Sequence, residues 1–253
     1  MDFSSQEDKK IEKEFIEQGY IIRPVADKDA LDKIKKFALR KLSNKSLDKT
    51  HESVSINELN TFRLDVIRQI NEQPWMREAY FQIVKPYLDV LVGNELAMQL
   101  RVNLSIQMPG DEGSLLPVHA DTWSGDSPYE VVVWLPLVDC YDTKSMYFLP
   151  PEAANNLSNN FKLHTQGDSE QLFNTIKDDV KWMKVDYGEV LVFNQIYPHG
   201  NVVNEENETR WSMNCRFKSL FSPYKDKKIG EFFEPITMRP VTKLAMNYKL
   251  PNF

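Results

Sequence analysis

The residues of this chain best suited to metal chemistry are two histidines and one aspartate. His119 and Asp121 form a His-x-Asp triplet, and His199 follows later in a Tyr-Pro-His-Gly segment. Residues two apart in an extended segment point to the same side, so His119 and Asp121 can reach one ion. Two imidazoles and one carboxylate bind one face of Fe(II) and leave its remaining positions open. Zinc accepts the same donors, so a zinc hydrolase stays an alternative at this point.

The second histidine is chosen by its place after a predicted strand. The segment Glu189–Asn194 is apolar and strand-like, and His199 comes shortly after it. The other two histidines, His51 and His164, lie in polar segments that are typical of loops. We therefore expect His199, rather than His51 or His164, to complete the metal site.

Arg210 and Ser212 come shortly after the second histidine and are suited to bind a carboxylate. Both occupy one face of a predicted strand, because alternate residues of a strand share a face. A guanidinium can bind a carboxylate through two hydrogen bonds, and the hydroxyl can donate another. With the metal site, the pair favours 2-oxoglutarate as a cosubstrate. The alternative is an exposed arginine that pairs with nearby Glu205, Glu206 or Glu208.

Composition and charge narrow the class of protein. The 253 residues are 42% apolar, enough for a sizeable core in one domain. The formal net charge of −6 argues against a nucleic-acid partner, which favours a basic face.

Neither a signal-peptide pattern nor an apolar run of about 20 residues is present, so we expect a cytoplasmic protein without a membrane span. Cys140 and Cys215 lie in apolar segments and predict buried free thiols.

The chain before residue 95 is predicted to be mainly helical, with one short β-rich segment at residues 20–24, and strands are predicted after it. Apolar residues recur at helical spacing within residues 4–18, 27–42, 59–70 and 77–92. Strands are predicted at residues 99–107, 130–138, 189–194 and 210–220 from alternation or from continuous apolar runs. The polar region 155–160 is expected to be a surface loop. The sequence does not indicate an oligomeric state.

The strand predicted at residues 210–220 alternates strictly between polar and apolar side chains. Its polar row consists of Arg210, Ser212, Asn214, Arg216 and Lys218, and its apolar row consists of Trp211, Met213, Cys215 and Phe217. A polar row of this kind can face the interior of a barrel that binds small polar ligands.

On these residues the chain resembles the Fe(II)- and 2-oxoglutarate-dependent dioxygenases of the phytanoyl-CoA dioxygenase-like superfamily. The resemblance spans most of the chain, from the helix, glycine and strand of residues 15–25 through His119-x-Asp121 and His199 to Arg210-x-Ser212. More narrowly, residues 109–128 and 143–146 look like oxygenases encoded in bacterial surface-carbohydrate gene clusters. Asn201 departs from the family pattern, in which small hydroxyl residues are frequent two positions after the histidine.

The resemblance implies a mainly β fold with α elements, in which N-terminal helices flank a double-stranded β-helix core, the cupin-like jelly-roll. It implies one dioxygenase domain, 1–253, with a helical part at 1–95, the jelly-roll core at 96–222 and a C-terminal extension at 223–253. It also implies that Fe(II) is bound by His119, Asp121 and His199, with 2-oxoglutarate and O2 as cosubstrates. The residues implied to bind 2-oxoglutarate are Arg210 and Ser212, with Asn103, Gln107 and Trp134 on neighbouring strands.

The expected partner is a small molecule, a sugar or nucleotide sugar. Trp123 and Asp126 follow the His-x-Asp triplet in a loop, and an aromatic ring with a carboxylate suits a sugar. Lys144, Asn214 and Arg216 are candidates to bind an anionic group of the substrate. We expect hydroxylation of a carbohydrate or activated sugar precursor, with release of succinate and CO2. Two alternatives stay open: a non-catalytic jelly-roll sugar-binding module, and a metal-dependent cupin-type isomerase or hydrolase that does not use 2-oxoglutarate.

Overall fold

The chain forms four helices in its N-terminal part and two antiparallel sheets, in a computed structural model that describes residues 3–43, 45–159 and 169–251. Strand β1 of the larger sheet, Tyr20–Pro24, lies between the first two helices. The secondary structure is mixed, and both sheets are antiparallel. No helix within these ranges is both long and apolar enough to cross a membrane.

The four predicted N-terminal helices are confirmed, with small differences at their ends. Helix α1 begins after Ser5, whose hydroxyl accepts a hydrogen bond from the Asp8 amide, and ends at Gly19 with a φ of +79°. At Gly19 a Cβ atom would lie 2.7 Å from the Tyr197 ring, so both the backbone angle and the packing require glycine. The bounds are Gln6–Gln18 for α1, Lys28–Leu39 for α2, Leu59–Asn71 for α3 and Met76–Leu91 for α4.

The larger sheet has seven antiparallel strands within the described residues. Its members are β1 Tyr20–Pro24, β2 Leu96–Gln99, β3 Asn103–Gln107, β4 Glu130–Pro136, β7 Glu189–Asn194, β9 Arg210–Ser219 and β10 Phe233–Thr237. Their order is β1-β7-β4-β9-β2-β10, and β3 pairs with the first half of β9 on the same edge as β2. The long strand β9 is therefore bordered by β4 on one side and by β3 and β2 on the other.

The single strand expected at residues 99–107 is two strands, because Asn71 interrupts it. The Asn71 side chain accepts a hydrogen bond from the Val102 amide at 2.8 Å and donates one to the Val102 carbonyl at 3.0 Å. These bonds occupy backbone groups that would otherwise pair with a neighbouring strand. The prediction of a continuous strand is wrong at this point, although the alternation within β3 itself is confirmed.

The smaller sheet lies against two short helices. Its strands are β5 Tyr147–Phe148, β6 Lys181–Trp182 and β8 His199–Gly200, and β5 is central. The helices are α5 Pro151–Asn159 and α6 Ser169–Ile176, and a third, α7 Pro240–Ala245, follows β10. The loop expected from residue 155 is wrong as far as Asn159, because Ala154 and Leu157 bury one face of α5. Residue 160 lies outside the described residues.

The two faces of β9 have different surroundings. Trp211, Met213, Cys215 and Phe217 are fully buried in the main hydrophobic core. The alternate residues from Arg210 to Arg216 line a cavity between the two sheets. The predicted inward polar row is therefore confirmed for these residues. Cys140 and Cys215 are buried and free, as the sequence predicted.

Candidate metal and cosubstrate site

Backbone pairing brings His119 and Asp121 to the start of β8. The His119 amide donates to the His199 carbonyl at 3.0 Å, and the His199 amide donates to the His119 carbonyl at 2.9 Å. The Asp121 amide donates to the carbonyl of Gln195, just after β7. These bonds join two segments that are far apart in the sequence. Backbone pairing therefore brings the three predicted metal ligands close together.

The three side chains form a cluster with the spacing of a metal site. Ligand atoms of His119, Asp121 and His199 all lie within 4.8 Å of one another. His119 Nε2 lies 3.5 Å from Asp121 Oδ1. Asp121 and His199 are buried, and His119 is partly exposed. Within the described ranges no other group of three histidine, cysteine or acidic side chains has such spacing.

Hydrogen bonds orient both imidazoles for coordination. His119 Nδ1 donates to the Pro117 carbonyl at 2.8 Å, and His199 Nδ1 donates to the Tyr197 carbonyl at 2.9 Å. A carbonyl can only accept, so the proton of each neutral ring is on Nδ1 and the lone pair is on Nε2. Burial lowers the pKa of His199 to about 4, and the neighbouring His119 lowers it further. His199 is therefore neutral at physiological pH, the form in which histidine binds metals.

Asp121 is held in its charged form. Burial alone would raise its pKa, but its neighbours His119, His199 and Arg216 outweigh burial and lower it. Arg216 Nη2 lies 2.9 Å from Asp121 Oδ2, a close ion pair whose angles fall outside hydrogen-bond geometry. Two imidazoles and one carboxylate are the donors that iron, zinc and related divalent ions accept. The cluster therefore fits a divalent metal.

Arg210 lies at another part of the same cavity and is only 4% exposed. Its Nη1 donates to the Ser145 carbonyl at 2.7 Å, and its Nη2 donates to Ser105 Oγ at 3.0 Å. Burial lowers its pKa to about 10, so it stays charged at neutral pH. The alternative that Arg210 is exposed and pairs with a nearby glutamate is wrong. Its guanidinium is buried, and Glu208 pairs with Lys144.

The cation of Arg210 is incompletely satisfied. Its Nε and the nearby Ser212 Oγ are both buried and have no hydrogen-bond partner within the described part of the chain. No acidic side chain described here forms an ion pair with Arg210. Buried polar groups without partners are costly, and they commonly mark a ligand site. Arg210 and Ser212 thus fit a bound carboxylate.

The cavity that holds both the metal cluster and the Arg210–Ser212 pair has a volume of about 290 Å³. Strand register arranges its wall in rows: Ser105 lies opposite Ser212, and both Asn103 and Trp134 lie opposite Asn214. The side-chain Nδ2 of Asn103 donates a hydrogen bond to Asn214 Oδ1 at 2.9 Å. The structure therefore places Asn103 and Trp134 on the cavity wall, at the positions where the sequence analysis expected cosubstrate residues.

Gln107 does not line the cavity, although it was expected among the cosubstrate residues. Its side chain is fully buried, donates to the Val202 carbonyl at 2.7 Å and accepts from Asn201 Nδ2 at 3.2 Å. Asn201 Oδ1 in turn accepts a hydrogen bond from the Leu116 amide. Gln107 and Asn201 thus connect the segment after His199 to the segment before His119.

Only some of the candidate substrate residues line the cavity. Asn214 and Arg216 line the cavity, whereas Trp123, Asp126 and Lys144 do not. Trp123 is 44% exposed, and Asp126 is buried and paired with Lys227 at 2.5 Å. The expectation that Lys144 faces the cavity is not met, because Asp48 and Glu208 hold its ammonium at 3.2 Å and 2.5 Å.

Ser105 and Gln195 belong to the site but were missed by the sequence analysis. Ser105 lines the cavity and bonds Arg210, and its alternation with Asn103 along β3 was a signal that could have found it. Gln195 accepts from Arg216 Nε at 3.1 Å and had no such signal. His51 bonds Thr209 Oγ1 away from the cluster, and His164 lies outside the described residues.

Comparison with known proteins identifies the fold. No protein-family model and no curated protein matches the sequence. AviO1 from Streptomyces viridochromogenes Tue57 matches with a TM-score of 0.57 and 14% identity, over 88% of this chain and 99% of that chain. SnoK, a non-haem α-ketoglutarate-dependent carbocyclase from nogalamycin biosynthesis, matches with a TM-score of 0.55 and 14% identity, over 93% and 97%.

A third similar protein has been solved with metal and cosubstrate. HygX from Streptomyces hygroscopicus with iron bound matches with a TM-score of 0.52 and 13% identity, over 87% of this chain and 89% of that chain. HygX has also been solved with nickel and 2-oxoglutarate bound. The chain therefore shares the fold of non-haem iron, 2-oxoglutarate-dependent enzymes, and the expected likeness is confirmed at the level of the fold.

Proposed function

We propose that this protein is an Fe(II)- and 2-oxoglutarate-dependent oxygenase. One observation carries the proposal: the cavity holds the His119, Asp121 and His199 cluster and also the buried Arg210 and Ser212, whose Nε and Oγ have no partner among the described residues. A metal site alone suits many enzymes. A metal site that shares a small cavity with a buried guanidinium, whose Nε has no partner among the described residues, suits a ligand that chelates a metal and ends in a carboxylate.

The proposed roles follow from the atoms that each residue presents. His119 and His199 offer Nε2 and Asp121 offers a carboxylate oxygen to iron, while Arg210 and Ser212 bind the distal carboxylate of 2-oxoglutarate. When bound, iron with 2-oxoglutarate and O2 supplies the oxidation of a substrate C–H bond, with succinate and CO2 as co-products.

Other cavity residues orient the cosubstrate and limit access of water. Ser105 holds Arg210 Nη2 and thereby turns the guanidinium toward the cavity. The Asn103 and Asn214 amides present polar groups midway along the wall, next to the Trp134 ring. Val132 and Phe193 add apolar wall near the metal cluster. A wall of this kind reduces the local dielectric, which strengthens the pairing of the cavity charges with a bound dicarboxylate.

The fold is proposed to be a jelly-roll within one domain spanning residues 1–253. In support, the sheets are antiparallel, and the cavity wall draws on both the larger sheet and β8 of the smaller one. A jelly-roll consists of two facing antiparallel sheets of this type.

The substrate is proposed to be a small carbohydrate or activated sugar precursor, and the reaction its hydroxylation. The narrower sequence resemblance supports the carbohydrate, and the cavity amides of Asn103 and Asn214 suit hydroxyl groups. Among the similar proteins, SnoK is a carbocyclase, so the outcome of oxidation varies within this fold. Succinate release across a panel of sugars, sugar acids and nucleotide sugars, with product analysis, tests both parts.

Anaerobic titration with Fe(II) and 2-oxoglutarate tests the proposed cofactor chemistry directly. A chelate of the two should give a weak visible charge-transfer band. Arg210→Ala should weaken 2-oxoglutarate binding, whereas the matched control Arg101→Ala, at an exposed position outside the cavity, should leave it unchanged. Metal binding without the band would favour a cupin-type isomerase or hydrolase. A wild-type protein that binds neither metal nor 2-oxoglutarate would favour the non-catalytic sugar-binding module.

A further inference from the structure

Arg216 is buried next to the metal cluster, and each of its side-chain nitrogens faces a protein group. Nη2 lies 2.9 Å from Asp121 Oδ2, Nε donates to Gln195 Oε1 at 3.1 Å, and Nη1 donates to Gln99 Oε1 at 3.4 Å. The side chain is 14% exposed. This arginine was expected from the sequence to bind an anionic group of the substrate. The contacts instead direct its charge to a metal ligand.

The groups around Arg216 are themselves fixed. Gln195 Nε2 donates to Glu130 Oε2 at 2.9 Å and to the Ser127 carbonyl at 2.8 Å, which leaves its Oε1 directed at Arg216. Asp126 Oδ1 lies 3.6 Å from Arg216 Nε, and Lys227 neutralises the other oxygen of Asp126. These contacts keep the guanidinium in one orientation.

The two oxygens of Asp121 therefore have different surroundings. Oδ1 lies 3.5 Å from His119 Nε2, on the side of the histidines, whereas Oδ2 faces Arg216. A carboxylate can bind a metal through one oxygen or through both. An arginine paired with one oxygen opposes binding through both, because that oxygen would have to leave a buried cation to reach the metal.

The number of oxygens matters for the proposed chemistry. Three protein donors on an octahedral metal leave three positions, of which 2-oxoglutarate takes two and O2 takes one. A fourth protein donor would occupy the position that O2 needs. We propose that Arg216 is a positioning residue that holds Asp121 as a one-oxygen ligand and so keeps the third position open. This inference rests on the proposed function and assigns Arg216 to the metal rather than to the substrate.

Bound Mn(II) provides a test that requires no turnover, because its enhancement of water-proton relaxation reports the number of coordinated waters. Three open positions should become two when Arg216→Met frees Asp121 Oδ2, so the enhancement per bound Mn(II) should fall by about one third. Arg216→Lys keeps a cation on this strand and should retain most of the wild-type value. Arg101→Met, at an exposed position, should leave the value unchanged.

The possible outcomes distinguish the positioning role of Arg216 from the proposed function as a whole. An unchanged enhancement in Arg216→Met overturns the positioning role while the metal site stands. A wild-type protein that does not bind Mn(II) overturns the metal site, and the proposed function with it. Far-ultraviolet circular dichroism establishes that each variant is folded. If Arg216→Met does not fold, Arg216→Gln removes the charge with a polar side chain and carries the same measurement and the same criterion.

Discussion

His119 and His199 hydrogen-bond to each other through their backbones in both directions. The two proposed metal ligands are therefore neighbours in a short antiparallel bridge, although they are distant in the sequence. The positions of their Cα atoms depend on main-chain pairing and do not require a metal. Removal of a side chain at the metal cluster should then change metal binding much more than it changes the fold.

Asp121→Ala should abolish binding of a divalent metal and leave the protein folded. The substitution removes the one anionic donor of the cluster and leaves the cation of Arg216 beside the two histidines. Co(II) titration by calorimetry, together with thermal unfolding, measures both effects. Asp178→Ala, at an exposed position, is a matched control. Full retention of Co(II) binding by Asp121→Ala would remove Asp121 from the metal site.

Arg210→Lys should raise the Kd for 2-oxoglutarate by about 10- to 100-fold, the effect of losing a charge-assisted hydrogen bond. Lysine keeps the charge but lacks the planar fork that can bind a carboxylate while bonding Ser105 and the Ser145 carbonyl. Anaerobic titration of the Fe(II)-loaded protein measures the change. Metal affinity measured without 2-oxoglutarate should stay at the wild-type level. An unchanged Kd would place the distal carboxylate elsewhere.

Lys144→Met should reduce stability and leave the cavity functional. The ammonium is buried between Asp48 and Glu208, so its loss leaves two carboxylates without their cation, and unfolding in urea should show a loss of about 1–3 kcal/mol. Metal and 2-oxoglutarate affinities should be unchanged. If the ligand affinities fall while stability does not, Lys144 serves the cavity, as the sequence analysis expected.

The stability difference between wild type and Lys144→Met should narrow at acidic pH. The hydrogen bond from Lys144 lowers the pKa of Glu208, and burial opposes this only in part. A lowered pKa in the folded state means that the pair stabilises the protein above the ordinary glutamate range. The stabilisation is then lost as the pH falls through the lowered pKa. Urea unfolding at neutral and at acidic pH measures the difference. A gap of constant size would show that packing, not charge, accounts for it.

Sequence patterns were sufficient where a short segment decides the outcome. Apolar residues at helical spacing predicted α1, and alternation placed Arg210 and Ser212 on the same face of β9. The His-x-Asp spacing and the place of His199 after a strand indicated three side chains that the structure brings together. In each case the evidence lay in the periodicity or the order of residues within a short segment.

Tertiary contacts decided the features that the sequence did not reveal. Lys144 was expected in the cavity, but its partners Asp48 and Glu208 come from distant segments. The strand break before β3 depends on Asn71, a residue of α3. Gln107 shares a strand face with Asn103 but bonds Val202 and Asn201 instead of lining the cavity.

Strand β9 carries the cavity residues on one face and core residues on the other. Insertion or deletion of one residue within β9 would reverse the facing of the residues on one side of the change, so that core side chains would point into the cavity and cavity side chains into the core. A point substitution in β9 alters one position, whereas a change in its length alters the facing of a whole run of residues. Diversification of the substrate in evolution or by design should proceed through the segments around the cavity, while the length of β9 stays constant.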